Sequence, residues 1–124
     1  REAPHYSGLG KALLAALPEA ELSDHLQTRP LPRRTPMTIC DPDALRLELA
    51  RVRQAGWAID DEESNTGICC VAAPIFDQFG QAVAALSISG LKAEFNSENL
   101  PRYIDAVVQA GAAISQRLGS EAAV

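Results

Sequence analysis

Residues 60–89 read DDEESNTGICCVAAPIFDQFGQAVAALSIS. Four carboxylates open the stretch, and two apolar runs follow, Ile68–Phe76 and Gln81–Ser89, parted by Asp77-Gln78-Phe79-Gly80. Each run is strand-length and rich in small, β-branched or apolar residues, and the Asp-x-x-Gly segment between them is a turn signal, so the pattern predicts a β-hairpin. Side chains alternate across a strand, and register therefore decides which residues share a face. A two-residue loop at Gln78-Phe79 would pair Asp77 with Gly80 and set Cys70 opposite Ser87. One face would then carry Cys70, Ala72, Val83, Ala85, Ser87 and Ser89. The other would carry Cys69, Val71, Ala73, Ile75, Ala84, Leu86 and Ile88, all apolar. A three-residue loop with Gly80 as a bulge would shift the pairing by one and mix polar with apolar residues on both faces. Segregation of the faces selects the first register.

Working outward, Asp41-Pro42 supplies an N-cap followed by Pro at the first helical position, and Gly56 supplies a stop. The helix between them has a buried stripe of Leu45, Leu49 and Val52, with Arg46, Glu48, Arg51 and Arg53 on the solvated side. Trp57–Ile59 is a short strand leading to Asp60. On the N-terminal side, Ser7-Gly8-Leu9-Gly10 leads into the short helix KALLAAL, which Pro18 stops. A second short helix is expected from Pro18 to Leu26, then a proline-rich connection and a short strand at Met37–Ile39. After the hairpin, a long helix is predicted from Glu98 to Leu118. Its apolar stripe is Leu100, Ile104, Val107, Val108, Gly111, Ile114 and Leu118. Helices around an antiparallel hairpin make an α+β layout.

The 124 residues form one domain with enough apolar content, 47%, for a core. A net charge of −5 argues against a DNA-binding surface, which needs many Lys and Arg contacts to phosphate. Three cysteines, two of them adjacent, argue against a disulfide framework and lead to the expectation of a reducing cytoplasm. No apolar run approaches the roughly 18 residues that span a bilayer. The chain opens on Arg1 rather than Met, and a fragment truncated at its N-terminus is expected.

The candidate chemistry has several parts. Ala72 and Ala85 at the centre of the serine face would leave a hollow lined by the Cys70 thiol and the Ser87 and Ser89 hydroxyls, suited to a small oxygen-rich ligand. The alternative is that the alanines admit a close-packed helix and each serine bonds to nearby backbone. Gly8 and Leu9 begin a helix whose free N–H groups favour an anion. Asp60, Asp61, Glu62 and Glu63 lack the spacing of a calcium loop, and Cys40, Cys69, Cys70, His5 and His25 lack any zinc spacing, so no metal and no cofactor is expected. A cysteine enzyme would need a base beside Cys69 or Cys70, and neither His5 nor His25 stands in a catalytic context.

Taken together, HYSGLGKALLAAL, then LARVRQAGWAIDDEESNTGICCVAAPIFD, then AVAALSISG resemble the effector-binding domain of IclR-type bacterial transcription regulators. The resemblance runs from His5 to Gly119. It implies an α+β, GAF-like sensory fold, not an enzyme, that binds a small carboxylate of the glyoxylate or pyruvate class. The implied contacts are Gly8, Leu9, Asp60, Cys70, Ser87 and Ser89. It also implies assembly as a homodimer or homotetramer, with DNA reached only through a helix-turn-helix domain that this sequence lacks, as it lacks the family's strands upstream of the GKA motif. The alternative function is a structural oligomerisation domain without a working ligand site.

Overall fold

The computed structural model describes residues 3–120. A 3-10 turn, Pro4–Tyr6, precedes helices α1 (Gly8–Ala15), α2 (Glu19–Thr28) and α3 (Pro42–Ala55). Strands β1 (Ala58–Asp61), β2 (Ile68–Phe76) and β3 (Ala82–Leu91) follow, then a second 3-10 turn, Lys92–Glu94, and the long helix α4 (Asn99–Arg117). The strands form one antiparallel sheet in the order β1-β2-β3.

Local chemistry sets the element ends. The Asp41 carboxylate accepts the Ala44 N–H and caps α3, while Gly56 ends it in the left-handed region at φ 86°. Ser7 caps α1 by accepting the Gly10 N–H at 2.9 Å. The expected strand at Met37–Ile39 is absent. That segment is a turn, because Thr35 and Thr38 hold it by hydroxyl bonds, including Thr38 to the Glu63 carbonyl at 2.7 Å. Threonine there serves the backbone of the acidic turn rather than a sheet.

Helices cover both faces of the sheet. On one, Ala58, Ala72 and Ala85 pack against Ala12, Leu14 and Ala15 of α1, Leu22 and Leu26 of α2, and the α3 stripe Leu45, Leu49 and Val52. On the other, Cys69, Val71 and Ala73, with Leu86 and Ile88, pack against Val107, Ile104 and Val108 of α4 and against Phe95 and Tyr103. Small side chains let α4 approach: a Cβ on Gly111 would stand 3.1 Å from the Pro74 carbonyl oxygen. The buried line of α4 passes from Gly111 to Ser115, leaving Ile114 and Leu118 largely exposed, contrary to the expected stripe. The Ser115 hydroxyl is needed inside. It accepts the Phe76 N–H at 2.9 Å and donates to the Gly111 carbonyl at 2.7 Å.

The hairpin keeps the predicted faces by another register. Cys70 lies opposite Ser89, not Ser87, and Ala72 lies opposite Ser87. Two extra residues on the β3 side cause this. Gly80 takes φ 76° and closes a turn in which its N–H bonds to the Asp77 carbonyl and the Asp77 N–H to the Gln81 carbonyl. The Asp77 carboxylate accepts the N–H groups of Phe79 and Gln81. Val83 is then left between two pairings, Phe76 with Ala82 and Ile75 with Ala84. Each extra residue shifts the pairing by one and flips the faces; together they restore them.

Candidate functional site

The six expected residues fall in three groups. Asp60, Cys70 and Ser89 form one row across the three strands, since Asp60 pairs with Cys70 and Cys70 with Ser89. Ala58, Ala72 and Ser87 form the next row on the same face. Helix α1 lies over these rows with its first residue on them. A Cβ built on Gly8 would stand 2.8 Å from the Cys70 Sγ and 3.5 Å from the Ala72 Cβ. Gly8 is buried and Leu9 largely exposed.

The hollow expected over Ala72 is filled by α1, whose Gly8, Ala12 and Ala15 are small enough to sit on alanine strands. Among the described residues, nothing pairs with the far edge of the sheet. Strand β3 is the outer strand, and Ser87 and Ser89 on it are exposed. Helix α1 packs on β3 as well as on β2, and its first residue sits on Cys70 and Ala72, the strand partners of Ser89 and Ser87. Gly8 and Leu9 precede the N–H groups that α1 satisfies: Gly10 donates to the Ser7 hydroxyl and Lys11 to the Ser7 carbonyl. A further glycine fixes the position, because a Cβ on Gly10 would come within 2.4 Å of the Pro4 backbone.

Asp60 is buried, and its carboxylate is engaged by the turn that follows it. Oδ1 accepts the N–H groups of Glu63 at 2.7 Å and Ser64 at 3.2 Å, and Oδ2 accepts the Ser64 hydroxyl. Each carboxylate oxygen accepts two hydrogen bonds, so one position on Oδ2 remains. The turn itself is tight. Glu62 takes the left-handed φ of 61°, and its Oε1 accepts the Gly67 N–H at 2.9 Å.

The carboxylates that follow Asp60 are not all in solvent. Glu63 is buried and pairs with Lys11 at 2.8 Å. Glu48 of α3, read as solvated, pairs with the same ammonium at 3.0 Å and with Arg51 at 3.0 Å. Lys11 is fully buried. Burial pushes the Glu63 carboxyl above its ordinary 4.5, with Lys11 opposing. Burial pushes Glu48 the same way, but Arg51 and Lys11 outweigh it and hold that carboxyl low. No pattern in KALLAAL marks Lys11 as buried, since a lysine at that spacing ordinarily snorkels to solvent.

The vicinal cysteines separate as expected, Cys69 toward α4 and Cys70 toward α1. The Cys69 thiol donates to Asp61 Oδ1 at 3.3 Å, and burial, with Asp61 beside it, pushes its pKa up to about 11. A thiol so poised is a poor nucleophile. The His5 Nε2 bonds instead to the Pro32 carbonyl at 2.9 Å, and His25 lies on α2. Among the described residues, no three His, Cys, Asp or Glu side chains gather in a way that could hold a metal ion, and no helix is long and apolar enough to cross a membrane.

Away from these rows, a cleft of about 410 Å³ opens at the hairpin end. Ala12, Ala15, Gly56, Ala73, Phe76 and Ala112 line it among others, and none of the six expected residues does. Composition alone gave no signal for it.

A central antiparallel hairpin between a three-helix layer and one long helix defines an α+β, GAF-like domain. The model of the family described as "Bacterial transcriptional regulator IclR C-terminal" matches residues 1–116, and the chain belongs to that family. It is 43% identical over 115 residues to the HTH-type transcriptional regulator BhcR of Paracoccus denitrificans (strain Pd 1222), covering 93% of this chain and 41% of that protein. It is 38% identical over 120 residues to KdgR of Escherichia coli (strain K12), an HTH-type transcriptional regulator, covering 96% of this chain and 46% of that protein. The chain thus spans less than half the length of either regulator. The crystal structure of the Thermotoga maritima IclR superimposes with a TM-score of 0.90 at 40% identity, over 94% of this chain and 47% of that one. The C-terminal domain of E. coli KdgR gives 0.89 at 35% identity, over 96% of this chain and 73% of that one. These relatives are transcription regulators, not enzymes.

Proposed function

We propose that this domain binds a small carboxylate effector of the glyoxylate or pyruvate class between the start of α1 and Ser87 and Ser89 of β3. One observation carries the reading. Gly8, at the start of α1, sits on Cys70 and Ala72, whose partners on the next strand of the same face are the exposed Ser89 and Ser87. A helix N-terminus offers uncommitted N–H groups and a partial positive charge, and hydroxyls add neutral donors, which together suit a carboxylate. In this reading the Gly8 and Leu9 N–H groups and the Ser87 and Ser89 hydroxyls hold the anion. Cys70 forms the floor, and the remaining position on Asp60 accepts from a ligand hydroxyl or a water.

The binding matters to transcription only if the effector has different affinity for two states of the whole regulator. Homodimer or homotetramer assembly, and DNA contact through a helix-turn-helix segment outside these 124 residues, belong to the same proposal, supported by relatives named as HTH-type regulators. Calorimetry of the full-length protein with glyoxylate and pyruvate tests it. Binding is expected for at least one acid and is lost in Ser87→Ala/Ser89→Ala; unchanged affinity in that double variant removes the site. The reading as a structural oligomerisation domain draws on the filling of the hollow over Ala72 by α1. It predicts no heat with either acid.

A further inference from the structure

A fully buried lysine is an expense that the core does not require. Lys11 lies one turn beyond Gly8 on α1, and its ammonium sits between Glu63 Oε1 at 2.8 Å and Glu48 Oε2 at 3.0 Å. Each partner reaches a different element. Glu63 belongs to the turn after β1, where its Oε2 accepts the Asp61 N–H at 3.1 Å and its own N–H bonds to Asp60. Glu48 belongs to α3 and is held by Arg51, whose guanidinium stacks 4.7 Å from the centre of the Trp57 ring. Two cations and two anions thus make a neutral set spanning α1, the acidic turn and α3.

Apolar residues of similar volume would give such a set's stability at least as well, because desolvation of buried charges offsets most of their attraction. What a directional, hydrogen-bonded charge adds is a defined position. Here that position is shared by the parts brought together above: the first turn of α1, which carries Gly8 and Leu9, and the turn that closes on Asp60. We propose that Lys11 is the positioning residue of the effector site, pinning the α1 N-terminus and the Asp60 turn to one another with α3 as the anchor. The identity of the site rests on the reading under Proposed function; the pinning does not.

Two variants of the full-length regulator separate positioning from bulk stability. Lys11→Met/Glu63→Gln removes the ammonium and its nearest carboxylate, leaves Glu48 paired with Arg51, and so strands no buried charge. Glu63→Gln alone keeps Lys11 paired with Glu48 and is the milder change, chosen to fold if the double variant does not. Amide hydrogen exchange without any effector is the first readout. The Gly10 and Lys11 amides bond to Ser7, and the Glu63 and Ser64 amides to Asp60, so neither substitution removes their acceptors. They are expected to lose tenfold or more in protection together, while Val71 and Ala73 in β2 keep theirs. Affinity for pyruvate and glyoxylate is the second readout, expected to fall tenfold or more in the double variant and several-fold in Glu63→Gln. A uniform change in protection, or none, overturns the proposal, as does wild-type affinity in the double variant. If the wild-type protein binds neither acid, the site reading fails while the exchange pattern still decides the pinning.

Discussion

Replacing Gly8 by alanine tests how α1 is seated on the sheet. The added methyl would lie 2.8 Å from the Cys70 Sγ, against roughly 3.5–4.0 Å for a relaxed contact between non-bonded heavy atoms. About 0.7 Å or more must open at the point where helix meets strand. Cys70 is buried, so α1 must lift or the thiol must leave its rotamer. Overpacking of this kind costs about 1–3 kcal/mol. Alanine recovers at most about 0.5–1 kcal/mol of that through its helix propensity, leaving a net loss of about 1–2 kcal/mol. Cys70→Ala alone removes one buried heavy atom and costs about 1 kcal/mol. In Gly8→Ala/Cys70→Ala the new methyl occupies the space of the lost sulfur, so the double variant should be no less stable than Cys70→Ala. The cycle then shows a favourable coupling of about 1–2 kcal/mol, where independent sites would add to within about 0.5 kcal/mol. Urea unfolding supplies the numbers as midpoint shifts at constant m-value. Simple additivity would refute the contact, and with it the placement of the α1 N-terminus beside Cys70.

Two other outcomes follow from the same packing. Ser115→Ala leaves the Phe76 N–H without its acceptor and should cost about 1–2 kcal/mol in urea unfolding, whereas Ser→Ala at an exposed α4 position would be near neutral. The Cys69 thiol, with its pKa raised to about 11, stays protonated through pH 8; a thiol-reactive dye should label half-buried Cys40 first and reach Cys69 only at the rate of unfolding. Rapid labelling of Cys69 in the folded protein would contradict that environment.

The parts of the fold legible in the sequence are those written in local chemistry. Asp41, Pro42 and Gly56 bound α3 because capping and a left-handed stop need those residue types. The faces of the hairpin were legible because parity is robust: the turn differed from expectation by two residues, and an even slip returns each side chain to its own side. The loop closed by Gly80, weighed and set aside because alone it would mix the faces, is the one that forms, and the second extra residue was not legible. Gly80 and Val83 each add one residue, and only Gly80 is of a type that announces a bulge.

Of the candidate site, the shared face of Cys70, Ser87 and Ser89 was legible and the shape above it was not. That these three share a face follows from alternation, whereas which of them are neighbours follows from the turn. The layer filling the space above Ala72 depends on how α1 docks, a tertiary fact that no local pattern carries. The same holds for Lys11, Glu48 and Glu63. Helical periodicity puts charged residues on the solvated side by default, and a neutral cluster around a buried lysine is recognisable only once three elements meet. Ser115 escaped for a similar reason, as its hydroxyl matters only because Phe76 sits at a bulge.

The proposed effector position is where α1 begins, beside Ser87 and Ser89, rather than in the cleft at the hairpin end. Titrating the isotopically labelled full-length protein with pyruvate or glyoxylate and following backbone amide resonances tests it directly. Gly8, Leu9, Ser87 and Ser89 are expected to shift first and to saturate together. Shifts confined to Ala15, Gly56 and Ala112, which line the other cleft, would contradict it.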